Sequence, residues 1–219
     1  MKNKFKFLIN ILMSNFIESI MMDDISLCDD LIDYYHKSNE YKQQVVGSNM
    51  GRNKNSTDVL VFPHSNDKTI RKYIDFLFSG VNSYRQVYDS FNYTISIKEP
   101  FNIQHYKPNE GFLNWHCERF EHQTNQRALV FMTYLNDVTD GGETEWLYQK
   151  VKFKPKKGLT VFWPTDFTHL HKGLVSPTQS KTIVTGWFHF LDHEQNYEIL
   201  LEKYQKQENE LKEKITVKS

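Results

Sequence analysis

Cysteine is scarce in this 219-residue chain. Cys28 and Cys117 are the only two, so no disulfide framework is available, which fits a reducing compartment. Net charge is absent as well: 27 basic and 27 acidic residues cancel, which removes the electrostatic basis for nonspecific nucleic-acid binding, and no nucleic-acid partner is expected. No apolar run reaches the length that spans a bilayer, and there is neither an internal repeat nor a low-complexity tract beyond a Lys/Glu/Gln bias near the end. Lys2, Lys4 and Lys6 precede Phe7-Leu8-Ile9-Asn10-Ile11-Leu12-Met13 in the manner of a signal peptide. That stretch is short, broken by Asn10 and without a small-residue cleavage site, and Met13 is an alternative start. A cytoplasmic protein with no membrane partner is expected.

What the chain does hold is material for a core. With 39% hydrophobic and 15% aromatic residues, one domain over 1–219 is the simplest division. Its parts are an N-terminal helical support with a loop (1–98), a β core (99–192) and a charged C-terminal helix (193–219). Residues 25–36 carry apolar positions at helical spacing, with Asp24 or Ser26 as cap. Ile70, Tyr73, Ile74 and Leu77 mark a second helix over 68–88 that Gly80 and Ser83 could divide. Residues 38–58 are polar, include Gly47 and Gly51, and read as a loop able to cover an open end of the core. Beyond Glu194, Tyr197, Leu200, Leu201 and Tyr204 give a docking face for the last helix.

Short strands and frequent turns dominate the middle. Ala128–Leu135 is apolar on both faces and stops at Asn136-Asp137, ahead of Gly141-Gly142. Further strands follow at Glu143–Trp146, Val151–Phe153 and Leu159–Trp163, the last ended by Pro164, which together suggest a sandwich or barrel. Alternation over Lys181–Phe190 sets Lys181, Ile183, Thr185 and Trp187 on one face, so a cation sits at the end of a mostly apolar row.

His116-Cys117-Glu118 is the segment that carries chemistry. In a strand, His116 and Glu118 point the same way while Trp115 and Cys117 point the other, so Cys117 reads as a structural thiol. Two imidazoles and a carboxylate on one face of a metal leave the opposite positions open, as oxygen-activating non-haem Fe(II) requires. The second imidazole must come from a distant segment. His171 lies 53 residues after Glu118, His169 two residues before it shares its face by alternation, and residue types alone do not choose between them. His105, His122, His189 and His193 have no partner at metal spacing and read as surface or packing residues.

From Tyr106 to Phe190 the chain resembles the 2-oxoglutarate and Fe(II)-dependent dioxygenases, in their prolyl 4-hydroxylase-like branch. The resemblance rests on the joint order of Tyr106, His116-Cys117-Glu118, Tyr134-Leu135-Asn136, Gly141-Gly142-Glu143-Thr144, His171-Lys172-Gly173, Lys181 and Trp187. It implies a mainly β fold with flanking helices, a double-stranded β-helix or cupin-like jelly-roll. It makes His116, Glu118 and His171 the metal ligands, selecting His171 over His169. Lys181 would pair with the distal carboxylate of 2-oxoglutarate and Tyr134 would donate to it, while Tyr106 and Trp187 would line its pocket. The cofactors so implied are Fe(II), 2-oxoglutarate as cosubstrate and O2, with ascorbate as an accessory candidate. No catalytic group beyond the metal ligands is implied. The expected reaction hydroxylates a C–H bond, a prolyl residue of a peptide or protein being favoured, and converts 2-oxoglutarate to succinate and CO2. A free amino acid or small metabolite as substrate, or a non-catalytic metal-binding jelly-roll module, are the alternatives. Glu118 departs from the Asp usual in this branch by one methylene, which bears on substrate and coordination geometry.

Overall fold

The computed structural model describes residues 15–47 and 54–191. The expectations for the N-terminal apolar stretch, for His193 and for the C-terminal helix lie outside those residues. Among them are twelve strands, two α-helices and short 3-10 turns.

The chain enters through β1 (Glu18–Met21) and helix α1 (Ser26–Lys37). Asp24 Oδ1 accepts the Ser26 N–H at 3.1 Å just ahead of this helix. There follow β2 (Lys42–Gly47), β3 (Lys54–Val61) and helix α2 (Lys68–Val87). Asp67 caps α2 by accepting from the N–H groups of Thr69 and Ile70. Gly80 does not divide this helix. A Cβ there would stand 2.6 Å from Phe162 Cζ and 2.7 Å from Ile20 Cδ1, so the missing side chain lets the helix approach the sheet.

The remaining strands are β4 (Ile95–Ser96), β5 (Phe101–Tyr106), β6 (Phe112–His116), β7 (Arg127–Tyr134), β8 (Thr144–Trp146), β9 (Val151–Phe153), β10 (Leu159–Pro164), β11 (His171–Gly173) and β12 (Lys181–Phe190). Their pairing order is β1-β10-β7-β12-β5-β3-β6-β11-β8-β9, all antiparallel, with β2 added to β3 and β4 to β12. Between β3 and β6 the register is only Lys54 opposite Phe112. The sheet folds over at that seam into a larger layer through β7, β12 and β5 and a smaller one of β6, β11, β8 and β9. This is a jelly-roll.

Alternation along the strands builds two cores. Leu129 and Phe131 of β7 pack outward with Val59, Val61, Phe101, Ile103, Val184 and Phe188 against buried residues of α1 and α2. Val130, Met132 and Tyr134 face inward with Tyr106, Trp146, Trp163 and Ile183. The helices thus stiffen one face of the larger layer, and the other face is left for the site.

The described parts of 38–58 are not the expected loop. Residues 42–47 and 54–59 pair antiparallel as a hairpin, and β1, β2, β3 and β4 all precede residue 99. Polarity misled the reading: Ser56 and Asp58 are buried on the inner side of β3, where an apolar residue is the usual occupant. No helix among the described residues is long and apolar enough to cross a membrane.

Candidate active site

His116 and His171 stand directly opposite one another on β6 and β11. The strand ends at His116, and the next turn is tied down by Thr165, whose carbonyl accepts the N–H groups of both Glu118 and Arg119 at 3.0 Å. Glu118 therefore turns back beside the two imidazoles instead of continuing the ladder. Its Oε1 lies 3.4 Å from His116 Nε2 and 3.3 Å from His171 Nε2, and one ligand atom from each of the three falls within 4.8 Å of the others.

The backbone decides which nitrogens face the carboxylate. His116 Nδ1 is 2.9 Å from the Asn114 carbonyl and His171 Nδ1 is 3.0 Å from the His169 carbonyl, so each neutral ring donates through Nδ1. Both Nε2 lone pairs then point at Glu118. Burial lowers the His171 pKa, and the neighbouring His116 lowers it further. Burial would raise the Glu118 carboxyl, but hydrogen bonding and charge from the two histidines, wherever a proton in place of a cation occupies an Nε2, hold it well below the usual carboxylate range. Three lone-pair donors converging in this way form a group able to hold a cation, and two nitrogens with one carboxylate are the donor set suited to ferrous iron. His116 stacks on Phe112, and Trp163 meets His171 edge-on, so both rings are held by packing.

His169 does not join them. It lies in a 3-10 turn, and its Nε2 is engaged with the Asn15 carbonyl at 2.9 Å. Cys117 also stays apart, its thiol directed at the Arg119 carbonyl.

The cluster opens into a cavity of about 770 Å3, which Tyr106, Lys181 and Trp187 also line. Lys181 is 4% exposed, and its ammonium donates to the carbonyls of Gly142 (2.9 Å) and Leu174 (3.1 Å), leaving one of three N–H groups for an anion. Burial lowers its pKa to about 8, opposed by the charge of Glu143. Gly141, at φ +94°, lets the chain turn where a Cβ would stand 2.6 Å from the Val175 carbonyl oxygen, and so brings Gly142 to the lysine.

Tyr134 sits otherwise than expected. It is fully buried, is not among the cavity-lining residues, and its hydroxyl is spent on Thr144 Oγ1 (2.7 Å) and the Phe153 carbonyl (3.0 Å). Thr144 stands between it and the cavity and faces the space itself. That threonine closes the Gly141-Gly142-Glu143-Thr144 turn, which was the signal that could have marked it.

Arg127 and Glu99 were not foreseen either. Arg127 donates to the Glu118 carbonyl (3.0 Å) and to Glu99 (2.6 Å), and its guanidinium lies 3.5 Å from the Trp187 ring centroid. Glu99 also approaches His189 Nε2 at 3.0 Å.

A family model for the 2OG-Fe(II) oxygenase superfamily matches residues 101–189, the span that contains Tyr106, His116, Glu118, Arg127, Thr144, His171, Lys181 and Trp187. Over that span, which is less than half of the chain, the protein is similar to that superfamily. This oxygenase is an enzyme, an iron- and 2-oxoglutarate-dependent dioxygenase, and the converging donors fit its metal. It is 24% identical to a candidate prolyl 4-hydroxylase of Acanthamoeba polyphaga mimivirus, over 78% of this chain and 84% of that protein. Its fold matches the viral collagen prolyl hydroxylase of Paramecium Bursaria Chlorella virus-1, solved with 2OG, at a TM-score of 0.62 and 21% identity, covering 81% of this chain and 98% of the other. A prolyl hydroxylase of Trichoplax adhaerens, solved with a hypoxia inducible factor peptide, matches at a TM-score of 0.64 and 14% identity, covering 86% and 90%.

Proposed function

We propose that this dioxygenase hydroxylates a prolyl residue within a peptide or protein. In this reading His116, Glu118 and His171 hold the iron, and Lys181 with Thr144 grips the far carboxylate of 2-oxoglutarate. Tyr106 and Trp187 form walls. The iron supplies the oxygen-activating chemistry when bound, while the chain's own part is to bind, orient and keep water out.

The single observation carrying the assignment is the convergence of two Nε2 lone pairs and a carboxylate at the mouth of a cavity that contains a buried, incompletely paired ammonium. A buried ammonium with an N–H left unpaired is costly unless a ligand completes it, and a dicarboxylate does so. A peptide is favoured because the cavity continues past the cosubstrate end to Asn102, Leu60 and the β2–β3 hairpin, room beyond what a five-carbon diacid fills. The names of the mimivirus and chlorella virus relatives agree with this choice. A cytoplasmic setting fits the free thiols of Cys28 and Cys117.

The test is succinate release from 2-oxoglutarate with Fe(II) and O2, run with proline-containing peptides and with free amino acids. The reading expects a prolyl peptide to stimulate turnover and to gain one oxygen atom by mass spectrometry. Stimulation by free amino acids alone would overturn the peptide assignment.

A further inference from the structure

Tyr106 lies opposite Lys181 across β5 and β12, and its ring centroid is 5.0 Å from the ammonium. A phenol in that place could serve as a donor to an incoming carboxylate. Its hydrogen is already committed, for Tyr106 donates to Gln104 Oε1 at 2.7 Å, and Gln104 Nε2 donates in turn to Asp58 Oδ2 at 3.3 Å. A carboxylate only accepts, so the NH2 end of the carboxamide must face Asp58 and its oxygen must face Tyr106. The acid therefore dictates which way the phenol points.

Asp58 is itself fixed. It is 3% exposed, pairs with Lys54 Nζ at 2.5 Å and accepts from Ser56 Oγ at 2.7 Å, both on the inner side of β3. Asp58 and Gln104 are register partners across β3 and β5, so the relay runs along one cross-strand row from the hairpin to the cosubstrate end. Burial, then the charge of Asp58, holds the Tyr106 phenol well above its ordinary pKa, so its proton stays in place. Cross-strand polar chains of this kind restrict a side chain to one orientation.

We propose that Gln104 and Asp58 are positioning residues for the cosubstrate end of the cavity. Gln104 accepts the only hydroxyl hydrogen of Tyr106 and Asp58 fixes the Gln104 amide, so the phenol serves as a rigid wall beside Lys181 and makes no donor contact with the keto-diacid. This rests on the reading in which Lys181 binds 2-oxoglutarate.

The experiment is anaerobic calorimetric titration of the full chain, loaded with Mn(II), with 2-oxoglutarate. Gln104→Leu is expected to weaken binding about three- to tenfold, because the released ring no longer holds one orientation beside Lys181, with Mn(II) affinity held within about twofold. Tyr106→Phe is expected to weaken it similarly, and the double variant to be no worse than either single one, because both act through one hydroxyl. Asp58→Asn should fall in the same direction by less, and it decides the matter if Gln104→Leu does not fold. Unchanged or tighter binding in Gln104→Leu, or in Asp58→Asn standing in for it, overturns the inference. Losses that multiply in the double variant also overturn it. Lys181→Ala separates the two levels: if it loses affinity while Gln104→Leu does not, the inference alone fails. If wild type binds no 2-oxoglutarate, or Lys181→Ala binds it equally well, the underlying reading fails and this inference with it.

Discussion

Replacing Lys181 with Met removes a buried charge while keeping most of the apolar stem. The ammonium already spends two N–H groups on Gly142 and Leu174, so the third, with the full positive charge, is what a distal carboxylate would meet. Losing one partner of a desolvated ion pair costs about 3 to 5 kcal/mol, or roughly two to three and a half decades in cosubstrate affinity. The pH dependence gives an independent check. Burial sets the native pKa at about 8 against 10.5 for the free side chain, so above about pH 8 the ligand-free protein loses the proton that binding needs. The dissociation constant of 2-oxoglutarate should then rise about tenfold per pH unit, having been flat below. Stability moves the other way. Between about pH 8 and 10.5 the unfolded chain holds the extra proton, so this group's destabilisation of the fold, about 3 kcal/mol at lower pH, is relieved as pH rises. Calorimetric binding from about pH 6.5 to about pH 9.5 reads the first effect, and denaturant melts over the same range read the second. A Lys181→Met protein with near wild-type affinity, or one that keeps the same pH profile, would refute the reasoning.

His116→Ala and His171→Ala should each abolish iron binding and succinate release, while His169→Ala, whose ring is bonded to Asn15, keeps most of both; equilibrium dialysis and turnover decide, and a lethal His169 change would mean the wrong imidazole was chosen. Thr144→Val should weaken 2-oxoglutarate binding about tenfold and Tyr134→Phe by less, since only Thr144 faces the cavity, and the reverse order in titration would reinstate Tyr134 as the donor. Gly80→Ala drives a methyl into Phe162 and Ile20 and should cost about 1 to 3 kcal/mol, lowering the melting temperature by roughly 2 to 4 °C for each. An unaltered melt would show that α2 can lift off the sheet freely.

The fold was legible wherever side-chain period and burial agreed. β7 and β12 alternate between two apolar cores, and the α2 face of Ile70, Tyr73, Ile74 and Leu77 packs inward as its spacing requires. The convergence of His116 and His171 was legible because β6 and β11 deliver them by plain pairing, although Glu118 reaches them through a turn instead of along the strand. The hairpin was not. Lys54 and Asp58 line the cavity and Ser56 is buried beside them, which inverts the usual pattern of an inner strand face. Arg127 and Glu99 are 28 residues apart in sequence and meet only because β7 and the start of β5 flank β12. Tyr134 was misplaced because strand alternation fixes the face but not how far a long side chain reaches past its neighbour; here the phenol runs beneath Thr144 toward β9.

Anomalous diffraction at the iron edge, from crystals grown anaerobically with Fe(II), reads the metal's place directly. The expected result is one strong peak within about 2.0 to 2.2 Å of His116 Nε2, a Glu118 oxygen and His171 Nε2 together. A peak elsewhere, or one ligated by His169 with His171 left out, would contradict it.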